Sequence, residues 1–248
     1  MVSHPPLNQL SLSNTFFSFK QFTIHQESCA QKVSTDACLL GALIAERWKN
    51  RNELLDIGAG TGLLMLIMAQ KSKGRIQGIE IERECFGQLQ QNIMASPWRE
   101  RLTPIQGDAV DHDFGQLFDG IISNPPFFEN DLPSSDTKAR IARHSLLLTI
   151  KQLFGTARKW LKADGELALL VPHDRIDYCK ATAEEHGLHL TACTHMRHSS
   201  THDHHRAVLI FEQKNAPKAV ETVFTLMQEG QQYTREAHDL LKDYYLYL

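Results

Sequence analysis

No long apolar run, no paired cysteine motif and no excess of either charge marks this chain. Its longest apolar stretch, LLMLIMA from Leu63 to Ala69, is far short of the roughly 20 residues that a membrane-spanning helix needs, so no membrane partner is expected. The N-terminus carries polar residues where a secretory signal would hold its apolar stretch, and the expected location is the cytoplasm. Five cysteines (Cys29, Cys38, Cys85, Cys179 and Cys193) are odd in number and form no CxxC, which points to a reducing compartment. With 26 Lys plus Arg against 29 Asp plus Glu the net charge is -3. A polyanion partner would therefore need a local basic surface.

One basic stretch is present. Lys138, Arg140, Arg143, Lys151, Arg158, Lys159 and Lys162 follow one another with no acidic residue between them, which suits a solvated helix face or a phosphate-contacting surface equally. The 248 residues, 42% of them hydrophobic, suffice for one full-sized core. Internal repeats and low-complexity linkers are lacking.

What is there is a regular alternation. Short apolar strands at 53–57, 75–80, 101–106, 117–122 and 166–171 interleave with helical patterns at 62–72, 82–95, 145–161 and 173–186. That pattern predicts an α/β fold with a mostly parallel sheet covered by helices on both faces. Strands at 188–194 and 205–212 are separated by a polar loop with no room for a crossover helix, so they are predicted to be antiparallel neighbours. Aromatic and β-branched residues at 15–26 predict a small hairpin outside the sheet, and a capped helix follows at 34–48. We read one domain over 1–248, with an N-terminal extension at 1–48, a core sheet at 49–214 and a C-terminal appendage at 215–248 that ends in a helix with an aromatic tail.

Between the first core strand and its helix, LLDIGAGTGLL places Gly58, Gly60 and Gly62, where a tight turn lets a ligand approach the backbone. A pyrophosphate fingerprint would put glycine or alanine three residues after Gly60. Leu63 stands there instead, which weakens a dinucleotide reading. Glu80 ends the second strand, where an acid accepts from both ribose hydroxyls, and Asp108 after the third strand is in reach of an adenine amine. Each acid alone is an ordinary cap or turn residue. Together with Asp56 and the loop they form the candidate set for S-adenosylmethionine, which has an adenosine and an amino-acid end and no phosphate to cradle; S-adenosylhomocysteine would be the product.

The second signal is DGIISNPPFF, in which Asn124, Pro125, Pro126 and Phe127 follow a buried strand. Proline donates nothing to a ladder, so the strand must stop here. An amine attached to a heteroaromatic ring is a poor nucleophile until its lone pair is turned toward the methyl donor, and two acceptors can do that. The Asn124 side-chain oxygen and the Pro125 carbonyl are the candidate catalytic pair, with Phe127 a face on which the target base stacks.

These motifs, in the order glycine loop, Glu80, Asp108 and NPPF, resemble those of class I methyltransferases that modify exocyclic or amide nitrogens. The stretches FSFKQFTIHQESCAQKVSTDACLLGA at 17–42, QNIMASPWRERL, HRAVLIF and YYLYL narrow the resemblance to the bacterial tRNA1(Val) (adenine(37)-N6)-methyltransferase family. The resemblance implies a seven-stranded sheet and methylation of adenosine N6 in the anticodon loop of a valine tRNA. It assigns Gly58, Gly60, Gly62, Glu80, Asp108 and Asn124 to the cofactor and Asn124 with Pro125 to catalysis. Thr35 and Asp36 would belong to a segment closing over the methionine end. Some members carry tyrosine where Phe127 stands; stacking survives that change.

For RNA contacts the candidates are Lys20, Arg140, Arg143 and Arg206. The histidine-rich loop at 195–205 is read as solvated and near the RNA, since His202, His204 and His205 have no spacing that fixes a metal geometry; no metal ligand is expected. Three other readings stay open: methylation of a glutamine amide in a protein, N2 methylation of a ribosomal guanine, and non-catalytic RNA binding. Oligomeric state is not legible.

Overall fold

The computed structural model describes residues 15–125, 148–214, 218–229 and 232–248. Pro126, Phe127, Lys138, Arg140 and Arg143 lie outside the described residues. A two-stranded hairpin, β1 (Phe16–Ser18) and β2 (Thr23–His25), precedes α1 (Thr35–Arg47). The core then runs β3 (Glu53–Ile57), α2 (Leu63–Lys71), β4 (Arg75–Glu80), α3 (Arg83–Met94), β5 (Leu102–Gln106) and β6 (Phe118–Ser123). After the undescribed segment come α4 (Ile150–Trp160), β7 (Leu161–Pro172), α5 (Ile176–Glu185), β8 (His189–Arg197), β9 (His204–Glu212), β10 (Val220–Thr225) and α6 (Arg235–Leu241).

The sheet has the order β10-β8-β9-β7-β6-β3-β4-β5. Only β9 runs against its neighbours, paired antiparallel to β7 and β8 as the short connection demanded. Among the described residues this sheet has eight strands rather than seven, because the segment assigned to the appendage adds β10 in parallel to β8. Its sequence VETVFT buries only Phe224, so it carries little of the apolar pattern by which a strand is recognised.

Two cores flank the sheet. On one face α1 and α2 pack together with the hairpin and α6; on the other, α4 and α5 cover Phe118, Leu167 and Leu209. The helix α2 is apolar all round because it is enclosed on all sides, with Leu63 to Ala69 buried without exception. In contrast α4 is amphipathic and starts with a reciprocal cap, Thr149 accepting from the Gln152 amide while the Gln152 side chain accepts from Thr149.

Polar staples hold the layers in register. Arg47 grips Glu166 with two bonds of 2.7 Å and the Trp48 indole donates to the same carboxylate. Burial alone would raise the Glu166 pKa, but Arg47, Trp48 and Arg51 together hold it below the ordinary range. The cysteine reading needs correction: Cys29 and Cys85 are joined in a disulfide, while Cys38, Cys179 and Cys193 are buried and form no disulfide. The tail packs back on the body, with the Lys20 amide donating to the Tyr244 carbonyl and Tyr244 buried. Among the described residues no helix is long and apolar enough to cross a membrane.

Candidate active site

Strand order reverses in the sheet beside β3, which continues to β4 on one side and pairs with the later strand β6 on the other. At such a point the connections leave in opposite directions and open a crevice at the carboxyl ends of the strands. A cavity of about 660 Å³ occupies it, lined by Gly58 and Gly60 after β3, Glu80 at the end of β4, Asp108 after β5, and Asn124 with Pro125 after β6. Four strand ends thus deliver the two sequence motifs to one space.

The glycine loop has a left-handed backbone, with φ of 73° at Gly58 and 84° at Gly62. A side chain at Gly62 would in addition meet the Leu89 Cδ1 atom at 2.7 Å, so this position demands glycine twice over. Glu80 closes the loop from the next strand. Its two carboxylate oxygens accept from the amides of Gly60 and Glu82, each at 2.9 Å. A carboxylate has acceptor capacity beyond two such bonds, so an anchored Glu80 still suits a ribose diol. Asp108 accepts from the Val110 amide with one oxygen, which sets the turn that presents it.

Asn124 and Pro125 occupy the first two positions past β6, the Asn half-buried and the Pro buried. The preceding Ser123 is pinned by its hydroxyl, which donates to the Ile57 carbonyl at 2.7 Å. That bond ties the exit of β6 to the exit of β3, and hence the two motifs to each other.

Other expected residues sit differently. Asp56 is fully buried beneath the loop and does not line the cavity; burial first and the Glu80 carboxylate second push its pKa up to about 8. Gly62 serves as the N-cap of α2 behind the lining. Thr35 and Asp36 open α1, and Asp36 holds His205 at 3.2 Å and Arg206 at 3.6 Å. Arg206 does line the cavity, so Asp36 reaches it through that arginine. Lys20 is elsewhere, donating to the Lys242 carbonyl near Lys71 and Asp243. In the basic stretch, Lys151 pairs with Glu185 and Lys162 with Asp119, while Lys159 lies over the Trp160 ring. These described members serve a helix face and the opposite end of the sheet from the cavity.

Sequence reading missed Lys32, Ile81 and Leu148 in the lining, along with both cysteines of the disulfide. It also missed Asn92, buried on α3, whose side chain exchanges two bonds with the His25 backbone and donates to the Thr61 carbonyl at 2.9 Å. No motif surrounds it; a polar residue on the inner face of an amphipathic helix was the available signal.

The glycine loop, Glu80, Asp108 and the asparagine-proline pair share one cavity on this sheet, and the family model described as Methyltransferase small domain matches residues 29–199, which makes this chain a methyltransferase. Curated relatives narrow the class. A tRNA1(Val) (adenine(37)-N6)-methyltransferase of Phocaeicola vulgatus is 36% identical over 235 residues, covering 95% of this chain and 99% of its own. The protein of the same name from Edwardsiella ictaluri is 33% identical over 249 residues, 99% of this chain and 100% of its own. The chain belongs to the tRNA1(Val) (adenine(37)-N6)-methyltransferase family. Among solved structures, one from Agrobacterium tumefaciens described as a predicted O-methyltransferase superposes with a TM-score of 0.65 at 17% identity, covering 84% of this chain and 96% of that one. A glycopeptide N-methyltransferase solved with S-adenosylmethionine gives 0.56 at 13% identity, over 74% and 100%. Both share the fold.

Proposed function

We propose that this protein transfers a methyl group from S-adenosylmethionine to N6 of adenosine 37 in tRNA1(Val), using Asn124 and Pro125 as the acceptors that turn the target amine. The observation that carries this reading is the shared cavity: Asn124 and Pro125 line the same space as Gly58, Gly60, Glu80 and Asp108. The donor set suits the cofactor. Glu80 accepts ribose hydroxyls, Asp108 accepts from the adenine amine, and the glycine loop admits the amino-acid end to the backbone.

S-adenosylmethionine supplies an electrophilic methyl on a sulfonium. Everything else falls to alignment. The Asn124 oxygen takes one N–H of the adenine amine and the Pro125 carbonyl takes the other, which draws the nitrogen lone pair out of conjugation and aims it along the line of transfer. The prolines keep that carbonyl in place at little ordering cost. No base catalyst is needed before transfer, because the methylated ammonium loses its proton readily afterwards. At the rim, Arg206 is the candidate for a backbone phosphate of the anticodon loop.

The test is transfer from labelled S-adenosylmethionine to unmodified total tRNA, followed by digestion to nucleosides. N6-methyladenosine confined to valine tRNA is expected. Label in no RNA would overturn the reading, and label in a glutamine side chain would replace it. Asn124→Ala should lower kcat about 100- to 1,000-fold, the loss typical of one aligned polar group at a reacting centre, with cofactor affinity little changed.

A further inference from the structure

Three histidines meet at the end of the sheet where β7 and β8 finish and β9 begins, outside the residues used above. His173 follows β7, His195 lies on β8 and His204 opens β9. Their ring centroids form a nearly equilateral triangle with sides of 5.1, 5.2 and 5.3 Å. His173 Nε2 and His195 Nδ1 are 3.0 Å apart, and one ring nitrogen from each of the three lies within 4.8 Å of the others. All three are half-buried, and the His204 Nε2 atom is buried with no hydrogen-bond partner among the described residues.

Imidazoles so placed cannot satisfy one another. A neutral ring offers one donor and one acceptor, and the single hydrogen bond between His173 and His195 leaves the His204 nitrogen stranded. A cation that binds neutral nitrogen satisfies all three.

We propose that His173, His195 and His204 form a site for a divalent transition metal of the zinc class. Metal–nitrogen distances of about 2.0–2.1 Å in a tetrahedral site put ligand nitrogens about 3.4 Å apart. His173 and His195 are already near that spacing, and a nitrogen of His204 lies within 4.8 Å of both. Nitrogen-only ligation selects zinc, cobalt, nickel or copper over magnesium or calcium. The second shell is also present: His195 Nε2 faces the Glu221 carboxylate of β10 at 3.4 Å, an arrangement that fixes the tautomer and leaves Nδ1 for the metal. The fourth position is left for water.

The site departs from the expectation of no metal ligand, and only His204 of the three was among the histidines then weighed. Its place suggests a clamp. Pro172, next to His173, and Arg206, two residues beyond His204, both line the methyl-transfer cavity, so a bound ion would fix the rim formed by β7 and β9. The inference does not depend on which substrate that cavity takes.

The test uses the untagged full-length chain, stripped with a chelator and titrated with cobalt(II), whose visible absorption reports tetrahedral nitrogen ligation, and then with zinc(II) in competition. One equivalent should bind. His173→Ala and His204→Ala should abolish binding, Glu221→Gln should weaken it about 10- to 100-fold, and the double variant His198→Ala with His202→Ala should leave it unchanged. Should a histidine variant fail to fold, the parent chain still decides: zinc must raise its Tm in a concentration-dependent way that chelator reverses. No saturable binding, or binding lost in the His198/His202 variant but kept without His173 and His204, would overturn the site.

Discussion

Asp56 shows what one buried carboxyl can do to the pH response of the whole chain. Its pKa of about 8 stands far above the ordinary carboxylate value of roughly 4. Between the two, the folded chain keeps a proton that the unfolded chain has released, so stability falls as pH rises from ~4 to ~8 and then levels off. Asp56→Asn carries no proton to lose and still accepts a hydrogen bond. Urea midpoints measured across pH 5 to 8 should therefore decline less in the variant than in the parent; an unchanged slope would show that other groups set it. The sequence put Asp56 among the cofactor ligands because of its place beside the glycine loop. Its burial beneath that loop was not legible, since neighbours in sequence at a strand end alternate between the cavity and the interior.

Among the elements, α3 does more than cover the sheet. Asn92 joins it to β2 of the N-terminal hairpin and to Thr61 of the glycine loop, three bonds from one side chain at 1% exposure. Asn92→Ala should cost about 1–3 kcal/mol, the penalty for leaving buried backbone groups unpaired. It should also weaken cofactor binding, because the loop loses its support. Urea unfolding and isothermal titration with S-adenosylhomocysteine measure the two effects. A variant as stable as the parent, or one that binds the cofactor equally well, would remove Asn92 from this role.

Across the whole molecule, the N-terminal hairpin meets the C-terminal tail. Phe19 bridges to Tyr245, the Lys20 amide bonds the Tyr244 carbonyl, and Tyr244 is 1% exposed. Tyr244→Ala should destabilise by about 3 kcal/mol, as for other large buried aromatics, and lower Tm by roughly 6–12 °C for a chain of this size. Because the Tyr244 hydroxyl has no hydrogen-bond partner among the described residues, Tyr244→Phe should be neutral or slightly stabilising. Thermal unfolding of the pair separates lost packing from a lost polar contact.

From sequence alone came the alternation of strand and helix, the antiparallel turn at β8 and β9, the glycine loop and the asparagine-proline exit, because each is written in residues close together along the chain. Local periodicity and backbone restriction act over a few residues and leave a local trace. Only the tertiary structure decided that Ser123 ties the two motifs together, that Asp36 reaches the cavity through Arg206, that Lys20 lies elsewhere, and that β10 extends the sheet. It alone brought His173 to His195 and His204. These are contacts between residues far apart in sequence, selected by how helices and strands pack, and no neighbouring residue records them.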